Sequence, residues 1–167
     1  MCRSSNVKNK INTLARLASE SQRLQSEGKR IVATNGCFDI LHVGHVRYLA
    51  AAKALGDFLI VGLNGDESVR ELKGPGRPVN REQDRAEVLA AVESVDYVVI
   101  FPEARATKFL AAVRAAVYVK GGDYTVETLD AAEREVLEKT GAKIEIIPFE
   151  RGYSTSELLE KIKGCGA

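Results

Sequence analysis

The stretch that decides the fold reads Thr34-Asn35-Gly36-Cys37-Phe38-Asp39-Ile40-Leu41-His42-Val43-Gly44-His45. It follows an apolar run at 31–33 and precedes an alanine-containing segment at 46–53, which predicts a strand, a glycine-bearing loop and a helix in succession. Free backbone N–H groups and the helix dipole make such a junction a natural anion site. His42 and His45 would share one face of the first helical turn, and Gly44 would let a ligand approach the backbone. The stretch therefore predicts a polyphosphate site.

Other phosphate, metal and nucleophile sites fit the residues less well. The sequence contains neither the P-loop pattern Gly-x-x-x-x-Gly-Lys-Ser/Thr nor the dinucleotide fingerprint Gly-x-Gly-x-x-Gly. Zinc needs three or four ligands, which two histidines and three widely spaced cysteines do not supply. Cys37 is disfavoured as a nucleophile because direct phosphoryl displacement needs no covalent intermediate.

Length, composition and charge favour one ordinary globular protein. The chain has 167 residues, of which 45% are apolar and 28% charged, and its net charge is +1. A nearly neutral chain gives no sign of a nucleic-acid partner, and no apolar run reaches the ~18 residues of a membrane span. Residues 1–5 lack the apolar core of a secretory signal, and the cysteines fit reduced thiols. We therefore expect a cytoplasmic protein with no nucleic-acid and no membrane partner.

Apolar runs that alternate with amphipathic segments predict an α/β fold. We expect a Rossmann-like five-stranded parallel sheet with helices on both faces, with strands near 31–33, 57–63, 95–101, 117–119 and 143–148. Helices are expected at 46–53, 67–72, 80–92, 104–115, 126–139 and 154–163, the third of them opened by a capping box at 80–83.

An apolar stripe precedes the first strand and predicts one amphipathic helix over residues 7–27, ended by Gly28. The residues of this stripe are Ile11, Leu14, Leu17, Ala18 and Leu24. We expect residues 1–28 to form an N-terminal helical extension, outside an α/β domain at 29–167 or against a second subunit. Because an apolar stripe must be covered, it favours a homodimer or larger homo-oligomer.

Several loops would meet at the carboxyl edge of the sheet, where ligands bind in such folds. The glycines after Lys120 permit close approach to a ligand, although a surface turn would also fit. The segment at 154–156 offers hydroxyl groups at a helix start, which serve equally as a cap and a phosphate cradle. Lys73 and Arg77 lie on a glycine- and proline-rich loop, where they either cover phosphates or remain solvated charges.

The opening stretch carries the His-x-Gly-His signature of the nucleotidyltransferase superfamily. Together with Leu63-Asn64-Gly65-Asp66 and Lys120-Gly121-Gly122-Asp123-Tyr124, it resembles the adenylyltransferases of bacterial ADP-heptose synthesis. The resemblance covers about residues 28–162 and implies transfer of AMP from ATP to a heptose 1-phosphate, with release of pyrophosphate. Some members are fused behind a sugar-kinase domain, and we expect the separate form. The alternatives are a glycerol-3-phosphate cytidylyltransferase, an FMN adenylyltransferase and a non-catalytic nucleotide-binding module.

The resemblance also implies roles for individual residues. Catalytic roles fall to His42, His45 and Lys120. Nucleotide contacts fall to Asn35, Gly36, Cys37, Phe38, Asp39, Gly44, Asp123, Arg151, Ser154, Thr155 and Ser156. Contacts to the sugar or to phosphates fall to Asn64, Asp66, Lys73, Arg77 and Arg85, although the three basic side chains could equally be solvated charges. Mg²⁺ is expected mainly on the ATP phosphates. Asp39 either helps to hold this metal, orients a histidine or satisfies N–H groups of the turn.

Overall fold

The computed structural model describes residues 4–122, 124, 125, 127–148 and 155–164, without the side chains at 4–6, 156 and 163. The helices are α1 (Ser4–Lys10), α2 (Leu14–Ser26), α3 (Val43–Lys53), α4 (Asp66–Lys73), α5 (Glu82–Ala91), α6 (Thr107–Val113), α7 (Ala131–Thr140) and α8 (Thr155–Gly164). The strands are β1 (Ile11–Asn12), β2 (Ile31–Gly36), β3 (Phe58–Asn64), β4 (Tyr97–Phe101), β5 (Val117–Gly121) and β6 (Lys143–Ile147).

Over the described residues the strands form one parallel sheet in the order β1-β4-β3-β2-β5-β6. A buried apolar cluster lies on each face, as continuously apolar strands of a parallel sheet require. The α/β fold predicted from the sequence is confirmed, with six strands instead of five. None of the helices in the described ranges has the length and apolar character needed to cross a bilayer.

The segment before β2 differs from the single helix expected over residues 7–27. It forms two helices separated by β1, in which Ile11 pairs with Val98 of β4. The side chain of Thr13 caps α2 by accepting a hydrogen bond from the N–H of Arg16, so a new helix starts there. Gly28, with a φ of 73°, follows the end of α2 as expected.

The apolar stripe of this segment is covered within the chain. Leu17 and Leu24 are buried in the cluster that contains Ile31, and Leu14 packs against the same cluster. The argument from this stripe for a second subunit therefore no longer holds, and the oligomeric state stays a prediction. The domain boundary at residue 28 likewise stays a prediction, although α2 shares a core with the sheet.

Two other expected element boundaries shift for local reasons. The capping box at 80–83 is wrong, because the N-cap of α5 is Arg81 and the Asn80 side chain instead donates to the carbonyl of Asp39. Helix α7 begins at Ala131, where the Asp130 carboxylate caps it, and not at residue 126. Gly141 ends α7 in the left-handed conformation, as predicted.

The chain order of the sheet changes direction at β2. Strands β3 and β4 lie on one side of β2, and β5 and β6 lie on the other. Loops that leave the carboxyl ends of β2 and β5 therefore diverge and leave a crevice between them, which is the usual ligand position in open α/β sheets.

Candidate active site

A cleft of about 710 Å³ opens at this edge of the sheet. It brings together twelve of the residues singled out in the sequence: Asn35, Gly36, Cys37, Phe38, Asp39, His42, His45, Asn64, Lys73, Arg77, Lys120 and Thr155. Gly44 is buried in the first turn of α3. Asp123, Arg151 and Ser154, and the side chain of Ser156, lie outside the described residues.

The loop after β2 turns sharply at Phe38, whose φ of 42° is in the left-handed region that side chains rarely adopt. The turn lays the Phe38 ring across Gly36, where an added Cβ would come within 3.1 Å of a ring carbon. The same ring lies 5.5 Å from the His45 ring, centroid to centroid. Gly36 and Phe38 thus set the floor against which the histidine packs.

The two histidine rings pack against each other, tilted, at the start of α3. Their centroids are 3.9 Å apart, with 33° between the ring planes. His42 is the N-cap residue of α3, and its backbone N–H donates to Nδ1 of His45 at 3.4 Å. Because Nδ1 accepts this bond, a neutral His45 carries its proton on Nε2 and can donate it to an anion.

Both histidines favour the neutral form. Burial, reinforced by the neighbouring His42, lowers the pKa of His45 from 6.5 to about 4. Burial also lowers the pKa of His42, although the Glu157 carboxylate of α8 acts in the opposite direction. At neutral pH the pair therefore offers hydrogen-bond donors, and an arriving polyphosphate would raise both pKa values.

Lys120 lies on β5 itself, at the residue before the last of the strand. Its Nζ is 3.5 Å from Oδ1 of Asn35, which also accepts a 2.6 Å hydrogen bond from the hydroxyl of Tyr118. The ammonium group lies over the rings of Tyr118 and Tyr124, at 5.9 and 5.3 Å from their centroids. Two donors on one amide oxygen fix Asn35 at the base of the cleft.

Asp39 anchors the glycine-rich loop between α4 and α5. Its side chain is 1% exposed and pairs through Oδ2 with Nε of Arg77 at 2.5 Å. Its Oδ1 accepts from the backbone N–H groups of Val79 and Asn80 at 2.8 and 3.1 Å. The bonded N–H groups lie 40 and 41 residues further along the chain, so Asp39 anchors a distant loop and not its own turn, and it holds Arg77 at the cleft. Lys73 is exposed at the cleft, at the end of α4.

Arg85 does not reach the cleft, contrary to the role that the resemblance implied. It is 2% exposed and donates to the carbonyl oxygens of Cys37, Asn64 and Asn80 at 2.6, 2.9 and 3.0 Å. Its remaining bond goes to Oδ1 of Asp66 at 2.8 Å. The guanidinium group therefore ties the ends of β2 and β3 to the loop before α5.

Asp66 likewise makes its contacts within the protein and not with the cleft. Besides the bond to Arg85, its N–H donates to the carboxylate of Glu82 at 2.8 Å, and it does not line the cleft. The expected contact between Asp66 and a sugar hydroxyl is therefore not supported. Asn64 does line the cleft, with its amide nitrogen 3.3 Å from both Ser68 Oγ and the Glu103 carbonyl.

Sequence reasoning missed the wall formed by the loop after β4 and the start of α7. Arg105 pairs with Asp130 at 3.0 Å, and the N–H of Ala106 donates to Oε1 of Glu133 at 2.8 Å. Arg105, Asp130 and Glu133 all line the cleft, as does Tyr124. An acidic residue in the first turn of a helix is an ordinary sequence feature, so no local signal indicated this wall.

The start of α8 closes the remaining side. The hydroxyl of Thr155 donates to the carbonyl of Ile40 at 3.2 Å, which joins the helix start to the loop after β2. Two helix N-termini, those of α3 and α8, therefore border the same cleft. Burial raises the pKa of the Cys37 thiol, which argues further against a nucleophilic role for it.

The chain is similar to proteins of known family. A family model described as cytidylyltransferase-like matches residues 33–161. The bifunctional proteins HldE of Citrifermentans bemidjiense and Geobacter sulfurreducens are 50% and 46% identical to this chain over 153 residues. Each match covers 92% of this chain and 31% of the relative, so the chain spans about a third of the length of these curated relatives.

A solved structure shares the fold. It is the lipopolysaccharide core biosynthesis protein from Thermoplasma volcanium GSS1, which is 28% identical with a TM-score of 0.61. The match covers 75% of this chain and 99% of that one.

Proposed function

Because the chain belongs to the cytidylyltransferase-like family, we propose that it is an adenylyltransferase that transfers AMP from ATP to D-glycero-D-manno-heptose 1-phosphate. The observation that carries the proposal is the pair of packed histidines at the N-terminus of α3, in one cleft with Lys120. The choice of sugar is supported by the motifs that resemble the ADP-heptose enzymes. It is supported also by the likeness to a lipopolysaccharide core biosynthesis protein.

The reaction requires an acceptor phosphate aligned with the α-phosphorus, compensation of charge on the phosphate oxygens and departure of pyrophosphate. The Nε2–H of His45 and the ring of His42 would donate to these oxygens. The Lys120 ammonium group and the N-terminus of α8 would hold the rest of the polyphosphate. The attacking sugar phosphate is already an anion, so the low pKa values of the histidines suit donors better than bases.

Magnesium is part of the proposal and would neutralise charge on the triphosphate. Among the residues described, no group of three or more His, Cys, Asp and Glu side chains could hold a metal ion. Mg²⁺ commonly keeps several waters and binds substrate phosphates, so these oxygens would supply its ligands. We also propose that the protein works in the cytoplasm, where ATP is available.

The proposal is tested by screening nucleoside triphosphates against sugar phosphates for pyrophosphate release. We expect ATP to be preferred over CTP, and heptose 1-phosphate over glycerol 3-phosphate, each by at least about tenfold in kcat/KM, or ~1.4 kcal/mol. A preference for CTP with glycerol 3-phosphate would overturn the substrate assignment. Pyrophosphate release from no pair, with nucleotide binding intact, would instead indicate a non-catalytic module.

A matched pair of variants separates the activity of this protein from contamination. His45→Ala removes a donor in the cleft, whereas Lys139→Ala removes an exposed charge on α7. Release that disappears in the first variant and persists in the second belongs to this cleft.

A further inference from the structure

Glu133 has an environment unlike that of an ordinary acidic residue in a first helical turn. It occupies the third position of α7, yet its Oε1 accepts from the N–H of Ala106 on another segment, and the residue is 5% exposed. A carboxylate in this position usually lies in water or caps its own helix. Burying a carboxylate next to a cleft costs free energy unless a positively charged group there interacts with it.

Lys120 is the group in this cleft that needs such a partner. Lys120 is partly buried, with an amide oxygen at 3.5 Å and two aromatic rings as its described contacts. Burial lowers the pKa of Lys120, and the Glu133 charge acts against that decrease. Burial raises the pKa of Tyr118, whose ring lies under Lys120, and the Glu133 charge adds to that increase.

The other groups around Lys120 do not replace Glu133. Arg105 on the loop after β4 and Lys73 at the end of α4 both disfavour the ammonium form. Cys37 favours it only as a thiolate, and burial raises the pKa of that thiol. Asp130 is the other carboxylate on this wall, and it is paired with Arg105.

Glu133 and Lys120 line the same cleft, and we infer that Glu133 is a positioning residue whose carboxylate keeps Lys120 charged for polyphosphate binding. The inference rests on the proposed role of Lys120 in the cleft, and it concerns binding of the anion and not the chemical step. A residue that merely pinned Ala106 would need an acceptor oxygen, but no charge.

The experiment measures binding of inorganic triphosphate by calorimetry between pH 6.5 and 10. Affinity should fall as Lys120 loses its proton, and Glu133→Gln should move the midpoint of this fall about one pH unit lower. Glu135→Gln, an exposed neighbour on α7 that pairs with Lys139, should leave the midpoint unchanged. Because inorganic triphosphate is not a substrate, the result does not depend on whether the protein transfers AMP.

Two further variants separate charge from structure. Glu133→Asp keeps the charge and should keep the midpoint near that of the wild type, even if the bond to Ala106 is lost. In a Lys120→Arg background, where the cation cannot deprotonate in this range, Glu133→Gln should cause no shift. Equal midpoints in the wild type and Glu133→Gln would overturn the inference, as would a shift that persists beside Arg at position 120. If Glu133→Gln does not fold, an unshifted midpoint in Glu133→Asp supports the charge role and a lowered one contradicts it.

Discussion

Arg85 offers the sharpest test of the difference between what the sequence suggested and what the structure shows. Arg85→Met removes the guanidinium group and keeps an unbranched apolar side chain of similar reach. The carbonyl oxygens of Cys37, Asn64 and Asn80 would lose a charged donor, at about 1–3 kcal/mol for each acceptor left unsatisfied. Asp66 would lose its ion-pair partner. Removing the buried charge of Arg85 would offset part of the loss in folding free energy, because that charge no longer has to be desolvated. We therefore expect the free energy of unfolding to fall by about 3–5 kcal/mol.

Urea denaturation of the two forms measures this change. Arg70→Met is the matched control, since Arg70 is 54% exposed and pairs with Glu67 on the surface of α4. A surface pair of this kind contributes about 0–1 kcal/mol. If Arg85→Met changed stability by less than 1 kcal/mol while raising KM for either substrate, Arg85 would be a substrate ligand and the structural reading would be refuted.

The remaining predictions concern the cleft and its loop. His42→Ala and His45→Ala should each lower turnover by roughly 10²–10³-fold without unfolding the protein, and steady-state kinetics near the wild-type rate would remove them from the mechanism. The pKa of His45 is lowered to about 4 in the folded protein, so the unfolded chain binds the extra proton between pH 6.5 and 4. Stability should therefore decrease as the pH falls through that window, and urea denaturation of His45→Gln should show a weaker decrease. Asp39→Ala should release the loop between α4 and α5 and speed its proteolysis several-fold, and an unchanged cleavage rate would mean that other contacts hold it.

The parts of the fold that the sequence predicted are those determined locally. The strand, loop and helix around His42 follow from a short run of residues, and the helix ends at Gly28 and Gly141 follow from the left-handed backbone at these glycines. β1 could not be predicted, because two residues carry no periodicity and their partner strand lies far along the chain.

The residues of the candidate site show the same difference between local motifs and long-range contacts. The histidine pair and Lys120 were found because each lies in a motif with its own local geometry. The role of Arg85 was predicted wrongly and Glu133 was missed, because both roles depend on burial and on distant partners. The bond from Ala106 to Glu133, for example, joins residues 27 positions apart. Sequence patterns report residue type and spacing, whereas burial of a charge depends on which segments the fold brings over it.

The position of β1 has a consequence for how the chain is assembled during its synthesis. Next to β1, the side chain of Lys10 bonds the carbonyl of Val95, a residue 85 positions later. At about 5–20 residues per second, a ribosome needs about 4–17 s to make the intervening chain. Throughout that time the first segment has no strand to join, and pairing over so long a separation is slow once the strand exists. Among the described strands β1 thus waits longest for its neighbour, and until it pairs the newly made edge of β4 stays open to other nascent chains.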